Sequence, residues 1–115
     1  FKVRENIALS QDASTVYAKT MWDIVCAIST EGDSPQTVWS SEANYGFEID
    51  PSRPVEYDGN VYFATQFGYV FSLDVENGDI VWKHRIGSNL LNTPVLHKNM
   101  MIITGMDGRV VKLTF

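Results

Sequence analysis

The stretch from Pro54 to Val75, PVEYDGNVYFATQFGYVFSLDV, lies over Pro94 to Phe115, PVLHKNMMIITGMDGRVVKLTF, without a gap at an offset of 40 residues. Five of the 22 pairs are identical: Pro54/Pro94, Val55/Val95, Gly68/Gly108, Val70/Val110 and Leu73/Leu113. A more worn copy precedes these two. Val16 to Ile28 matches Val61 to Leu73 at an offset of 45, with Val16, Tyr17, Thr20 and Val25 identical to their counterparts. Trp39 then matches Trp82 at an offset of 43, so two extra residues fall in the loop holding Gly32 to Gln36, where drift is tolerated.

A period of about 40 to 50 residues, rich in short strands and turn glycines, marks stacked sheet units such as propeller blades, none of which buries its faces alone. The second copy gives the template. Val61 to Thr65 is a continuous apolar run preceded by the turn dipeptide Asp58-Gly59. Phe67-Gly68 turns the chain into Tyr69 to Val75, and Glu76-Asn77-Gly78-Asp79 turns it again into Ile80 to Arg85. A first strand around Pro54 to Tyr57 completes a four-stranded antiparallel meander, with the proline at a strand start where its missing N–H costs least. The expected fold is all-β: one partial β-propeller domain over residues 1–115, with repeats over 5–45, 53–87 and 93–115 and the last one incomplete.

An antiparallel sheet with one face in water alternates apolar and polar residues. VYFAT, MIIT and IVCAI do not alternate, so these strands are expected to be covered on both faces. The best helical candidate, Ser88 to Leu91, is too short and runs into Thr93-Pro94.

Charge and motifs exclude several function classes. The net charge is −5, and Lys and Arg are scattered singly apart from the adjacent Lys83, His84 and Arg85. Nucleic-acid backbones need a clustered positive surface, so no nucleic-acid partner is expected. No apolar run approaches the roughly 18 to 20 residues of a membrane span. The N-terminal FKVRENIALSQDAST lacks the apolar centre of a signal peptide, so any export signal is expected outside this sequence. Cys26 occupies the apolar strand slot of Phe71 and Val111 and reads as a buried structural thiol.

No catalytic, cofactor-binding or metal-binding residue is assigned. Glu48, Asp50, Asp58 and Asp74 fall at turns or strand ends, where carboxylates hold backbone N–H groups; hard cations need about six or more converging oxygens. His84 and His97 lie in different repeats with no Cys or Glu at ligand spacing. Met100, Met101 and Met106 form a methionine cluster, but the first two align with a strand start and read as packing between sheets. The serines lack a nucleophile-elbow context, and the glycines are in the wrong arrangement for cradling phosphate.

The ordered template Pro54-Val55, Asp58-Gly59-x-Val61-Tyr62, Gly68-x-Val70-x-x-Leu73-Asp74, Asn77-Gly78-x-x-x-Trp82 resembles the PQQ-like repeat of quinoprotein-type β-propellers. The resemblance implies that Trp39 and Trp82 cap the outer strand of their blade and dock on the next one. Burying such an indole stabilises by about 3 kcal/mol. Trp22 departs from the pattern: with Phe67, its counterpart, it sits at a strand turn, and the two form the candidate contact patch. The family spans quinone-dependent dehydrogenases, outer-membrane assembly scaffolds and noncatalytic propellers, so the repeat alone does not name a function. The resemblance implies a periplasmic or cell-envelope location in a bacterium and a noncatalytic binding or scaffold module without cofactor, engaging protein or carbohydrate. The alternative is part of a PQQ-dependent dehydrogenase, although the adjacent cysteines common in those enzymes are missing.

Closed propellers carry four to eight blades of four strands. The third copy stops before a fourth strand, and an unpaired edge invites a partner. The chain is therefore expected to belong to a larger propeller or to join copies of itself by strand complementation, with Phe1-Lys2-Val3-Arg4 as the candidate donor strand.

Overall fold

The computed structural model describes residues 7–20, 22–47, 53–86, 93–105 and 108–115. Phe1 to Arg4, Glu48, Asp50, Ser88 to Leu91 and Met106 lie outside the described residues. Among the described residues, eleven strands form three antiparallel sheets. The first sheet runs β1 (Ile7–Leu9), β2 (Thr15–Lys19), β3 (Trp22–Ser29), β4 (Gln36–Phe47). The second runs β5 (Val55–Tyr57), β6 (Asn60–Ala64), β7 (Tyr69–Asp74), β8 (Ile80–Arg85). The third holds β9 (Val95–His97), β10 (Met100–Thr104) and β11 (Val110–Thr114), with β10 in the middle. The fold is the all-β propeller-blade architecture that the repeat implies.

Cross-strand pairing divides each sheet into two faces. In the second sheet Val61, Phe63, Phe71 and Leu73 point to the first sheet and pack on Tyr17, Val25, Ala27 and Trp39. Tyr62, Ala64 and Val70 point the other way and pack on Met101 and Ile103 of the third sheet. Both faces of β6 and β7 are thus buried, which is why VYFAT carries no polar residue until its terminal threonine. Phe63 stacks on Phe71 with ring centroids 4.9 Å apart, and Tyr45 meets the edge of Phe63 at 5.9 Å. Cys26 is 2% exposed, and burial pushes its thiol pKa up.

The fourth strands of the first two sheets carry the same irregularity. Ala27 pairs with Trp39 and Ile28 with Thr37, leaving Val38 as an extra residue; Ser72 pairs with Trp82 and Leu73 with Ile80, leaving Val81. A bulge bends its strand and re-aims the neighbouring side chain. Here it precedes the tryptophan in both sheets, with the displaced valines about half exposed. Trp39 is buried, and its Nε1 donates to the Val75 carbonyl of the second sheet at 2.8 Å. The half-buried Trp82 meets Phe115 of the third sheet and Tyr62 of its own, with centroids 5.8 and 5.9 Å apart.

Polar ties reinforce the stacking. The Tyr17 hydroxyl donates to Glu56 Oε1 at 2.5 Å, and the Gln11 N–H donates to Glu56 Oε2 at 3.2 Å. Between the second and third sheets, the Lys98 N–H donates to the Tyr57 hydroxyl. Burial first, and the adjacent Glu56 carboxylate second, raise the Tyr17 pKa above its ordinary value near 10. The folded protein therefore favours the neutral phenol, so this contribution is complete below pH 10 and is lost as pH rises through the raised value. In urea unfolding, Tyr17→Phe is expected to be the less stable protein at pH 8, with the gap to wild type closing above pH 10. A gap that stays constant to pH 11 would show that the phenol proton does not hold this tie.

Candidate protein-binding surface

Successive turns of an antiparallel meander lie at opposite ends of the sheet. The β2–β3 and β6–β7 turns, equivalent in the repeat, consequently share one rim of the stack. Trp22 opens β3 and is 64% exposed; Phe67, in the β6–β7 turn, is 58% exposed. These are the two aromatic side chains of the candidate patch, and both present most of their surface to solvent.

The rim is built by an irregularity at the end of the first sheet. Trp22 pairs with Phe47 and Ile24 with Glu42, so the register shifts across Asp23. Asp23 takes a left-handed backbone, φ +61°, and its Oδ1 accepts the Gly46 N–H at 2.6 Å. Asp tolerates this conformation better than most residues because its short carboxylate bonds locally. The carboxylate holds the end of β4 in place and leaves Trp22 projecting from the strand. Phe67 of the second sheet lies against that same segment: a Cβ added at Gly46 would stand 3.0 Å from Phe67 Cε2. The absence of a side chain at Gly46 thus lets one aromatic rest on the neighbouring sheet while its other face stays open.

Beneath the rim the two sheets are bound tightly. Lys19 is wholly buried, with Nζ donating to the Ala64 carbonyl at 2.9 Å and lying 4.8 Å from the Tyr45 ring centroid. The Tyr45 hydroxyl sits 2.6 Å from the Thr20 carbonyl and 2.8 Å from that of Ile24. Thr65 closes the equivalent turn in the second sheet, its N–H donating to the Tyr69 carbonyl at 2.8 Å. A rigid base under two exposed rings suits recognition, because little order has to be gained on binding. Such rings stack on apolar side chains or on sugar faces and supply no nucleophile, acid or base.

The other residues that stand out in the sequence lie elsewhere. Trp39 and Trp82 are on the outer strands, away from the rim. His84 lines a groove of about 260 Å³ with Trp82, Leu113, Thr114 and Phe115, between the second and third sheets. Asp74 accepts the Glu76 N–H at 2.8 Å within its turn. No three His, Cys, Asp or Glu side chains converge on a metal-sized site among the described residues, and no helix among them is long and apolar enough to cross a membrane. Sequence reasoning missed Lys19, Asp23 and Gly46. One signal was present: Lys19 stands in a strand slot that the other copies fill with Ala64 and Thr104.

Residues 23–115 match the sequence profile of the family described as outer membrane protein assembly factor BamB. Outer membrane protein assembly factor BamB of Escherichia coli (strain K12) is 27% identical over 104 residues, which cover 90% of this chain and 26% of that protein. The chain thus spans about a quarter of that relative's length. Among solved structures, BamB from Moraxella catarrhalis superposes with a TM-score of 0.71 at 19% identity, covering 94% of this chain and 32% of that one. A europium-containing methanol dehydrogenase superposes with a TM-score of 0.70 at 16% identity, covering 88% of this chain and 21% of that one, a likeness of fold alone.

Proposed function

Because the chain belongs to the family of the outer membrane protein assembly factor BamB, we propose that it is a noncatalytic propeller segment that binds protein in outer-membrane assembly, in the periplasm. The observation that carries this reading is the pair Trp22 and Phe67, held open at one rim on a rigid base. Trp is among the commonest residues at binding hot spots, where an exposed ring enters a partner's apolar pocket. The partner surface fitting this rim is apolar and protein in nature. The family's description as an outer membrane protein assembly factor favours protein over carbohydrate.

A photo-crosslinking residue placed at Trp22 or Phe67 of the native gene product tests this in cells. Crosslinks to one defined envelope protein are expected from both rim positions. None is expected from Asn77, which is exposed in the turn at the opposite rim. With that protein purified, Trp22→Ala combined with Phe67→Ala is expected to weaken binding about 30-fold or more, the effect of losing one hot spot of about 2 kcal/mol. Unchanged binding by the double variant would sink the rim assignment. PQQ- and calcium-dependent dye reduction by the native gene product would overturn the noncatalytic reading.

A further inference from the structure

Two cations in the second sheet do nothing that the repeat requires. Lys83 and Arg85 are exposed on β8, where they pair with Phe71 and Tyr69, so both side chains rise on the face turned toward the first sheet. Both reach the half-buried Tyr69 ring: Lys83 Nζ stands 5.7 Å from its centroid and Arg85 Cζ 5.8 Å. A cation over an aromatic face is attracted by the ring's quadrupole, which holds the two heads in place. Among the described residues, no carboxylate stands within ion-pair distance of either one. Two like charges side by side repel each other until an anion joins them.

The first sheet shows that a blade folds without this arrangement. There Ile24 pairs with Glu42 and Cys26 with Ser40, so Ile24, Ser40 and Glu42 fill the positions of Tyr69, Lys83 and Arg85. The cation pair is thus particular to the second sheet, and it reverses the sign of a chain whose net charge is −5. Its position joins it to the aromatic rim. Phe67 lies two residues before Tyr69, and the Ile86 N–H, next after Arg85, donates to the Gly68 carbonyl at 2.7 Å. That bond ties the end of β8 to the turn carrying Phe67. Arg85 therefore borders the rim, and Lys83 follows it down the outer strand, about 7 Å farther at the spacing of alternate strand residues.

Taking the Trp22–Phe67 rim as the binding surface, on which this inference rests, we propose that Arg85 and Lys83 extend it into a site for an acidic protein segment. An apolar side chain of the partner covers Trp22 and Phe67, and Asp or Glu side chains at alternate positions meet Arg85 and Lys83. The two parts act differently. Apolar anchors set how long a complex lasts, whereas exposed charges steer the encounter and make it depend on salt. Because the chain is net negative, the cation pair also fixes which way an acidic segment lies.

Selection of short peptides from a random library on the native gene product is expected to recover an apolar residue beside acids at alternate positions. With one such peptide, Lys83→Gln combined with Arg85→Gln is expected to slow association about 10-fold at low salt and to remove its salt dependence, leaving dissociation little changed. Both positions are exposed, so folding, read by circular dichroism, is expected to be kept. Trp22→Ala combined with Phe67→Ala is expected to act on dissociation instead, speeding it about 30-fold. Apolar peptides without acids, released by the rim variant and indifferent to the glutamine variant, overturn the acidic site and leave the rim reading standing. Recovery of no peptide, or binding that ignores both variants, overturns both. A glutamine variant that self-associates with peptide binding unchanged shows that the cations only guard the open edge of β8, and the proposal falls. Salt-dependent binding to phosphatidylglycerol vesicles, with no acidic peptide recovered, assigns them to a lipid surface and overturns it as well.

Discussion

Replacing Trp39 with alanine is expected to cost about 3 to 5 kcal/mol of folding stability, the range for emptying a large aromatic site in a packed core. The indole is 7% exposed and reaches across the sheet boundary to the Val75 carbonyl at 2.8 Å, so removal loses packing on both sheets and a hydrogen bond together. Trp39→Phe keeps most of the packing and should lose the smaller part, about 1 to 2 kcal/mol, because the Val75 carbonyl loses its donor. Trp22→Ala serves as the contrast: at 64% exposure, with no core to empty, it should stay within about 0.5 kcal/mol of wild type. Chemical denaturation of the three variants ranks them directly. Equal losses at Trp39 and Trp22 would mean that the first and second sheets are not held together through the indole.

That contrast also shows where the residues alone could speak. A two-faced strand such as VYFAT has few ways to bury itself except between sheets, so the stack was legible from its missing alternation. The recurrence of a tryptophan 43 residues after the first placed Trp39 and Trp82 on equivalent strands, and both follow a bulge at a valine. The rim was harder to read. Trp22 stood out as the exception to the repeat, but what mounts it is a register shift across Asp23, and a bulge leaves no periodic trace. Gly46 carries no signal of its own in the sequence, because its role is set by Phe67, 21 positions later, whose ring lies against it. Lys19 is buried because the Ala64 carbonyl and two aromatic rings arrive from other strands to receive it, which strand propensity does not encode. Legibility ends where a residue's partner is chosen by tertiary packing rather than by its own repeat.

Gly78→Ala should be nearly as damaging as emptying the tryptophan site, at about 2 to 5 kcal/mol, although it adds a single carbon. Two separate costs combine. Gly78 has φ +77°, a left-handed conformation that costs an L-residue about 1 to 2 kcal/mol. The new Cβ would also stand 2.4 Å from Trp39 Cε3 and 2.7 Å from Cδ2, and such overpacking typically costs a further 1 to 3 kcal/mol, about as much again. The turn cannot easily retreat: Gly78 N–H donates to the Asp74 carbonyl at 2.9 Å, and Asp79 N–H to Asn77 Oδ1 at 2.9 Å. Gly59→Ala isolates the first cost, since Gly59 has φ +83° but open space where its Cβ would go. A cycle through Trp39→Ala isolates the second. With the indole gone, Gly78→Ala has only backbone strain left, so the pair should be non-additive by about 1 to 2 kcal/mol, as for residues in direct contact. If Gly78→Ala costs no more than Gly59→Ala, or if the pair is additive, the indole is not seated on the turn. If the coupling appears, the glycine of the turn that leads into Trp82 is kept by Trp39, the tryptophan of the preceding repeat, and each copy of the motif carries half of a latch that its neighbour completes.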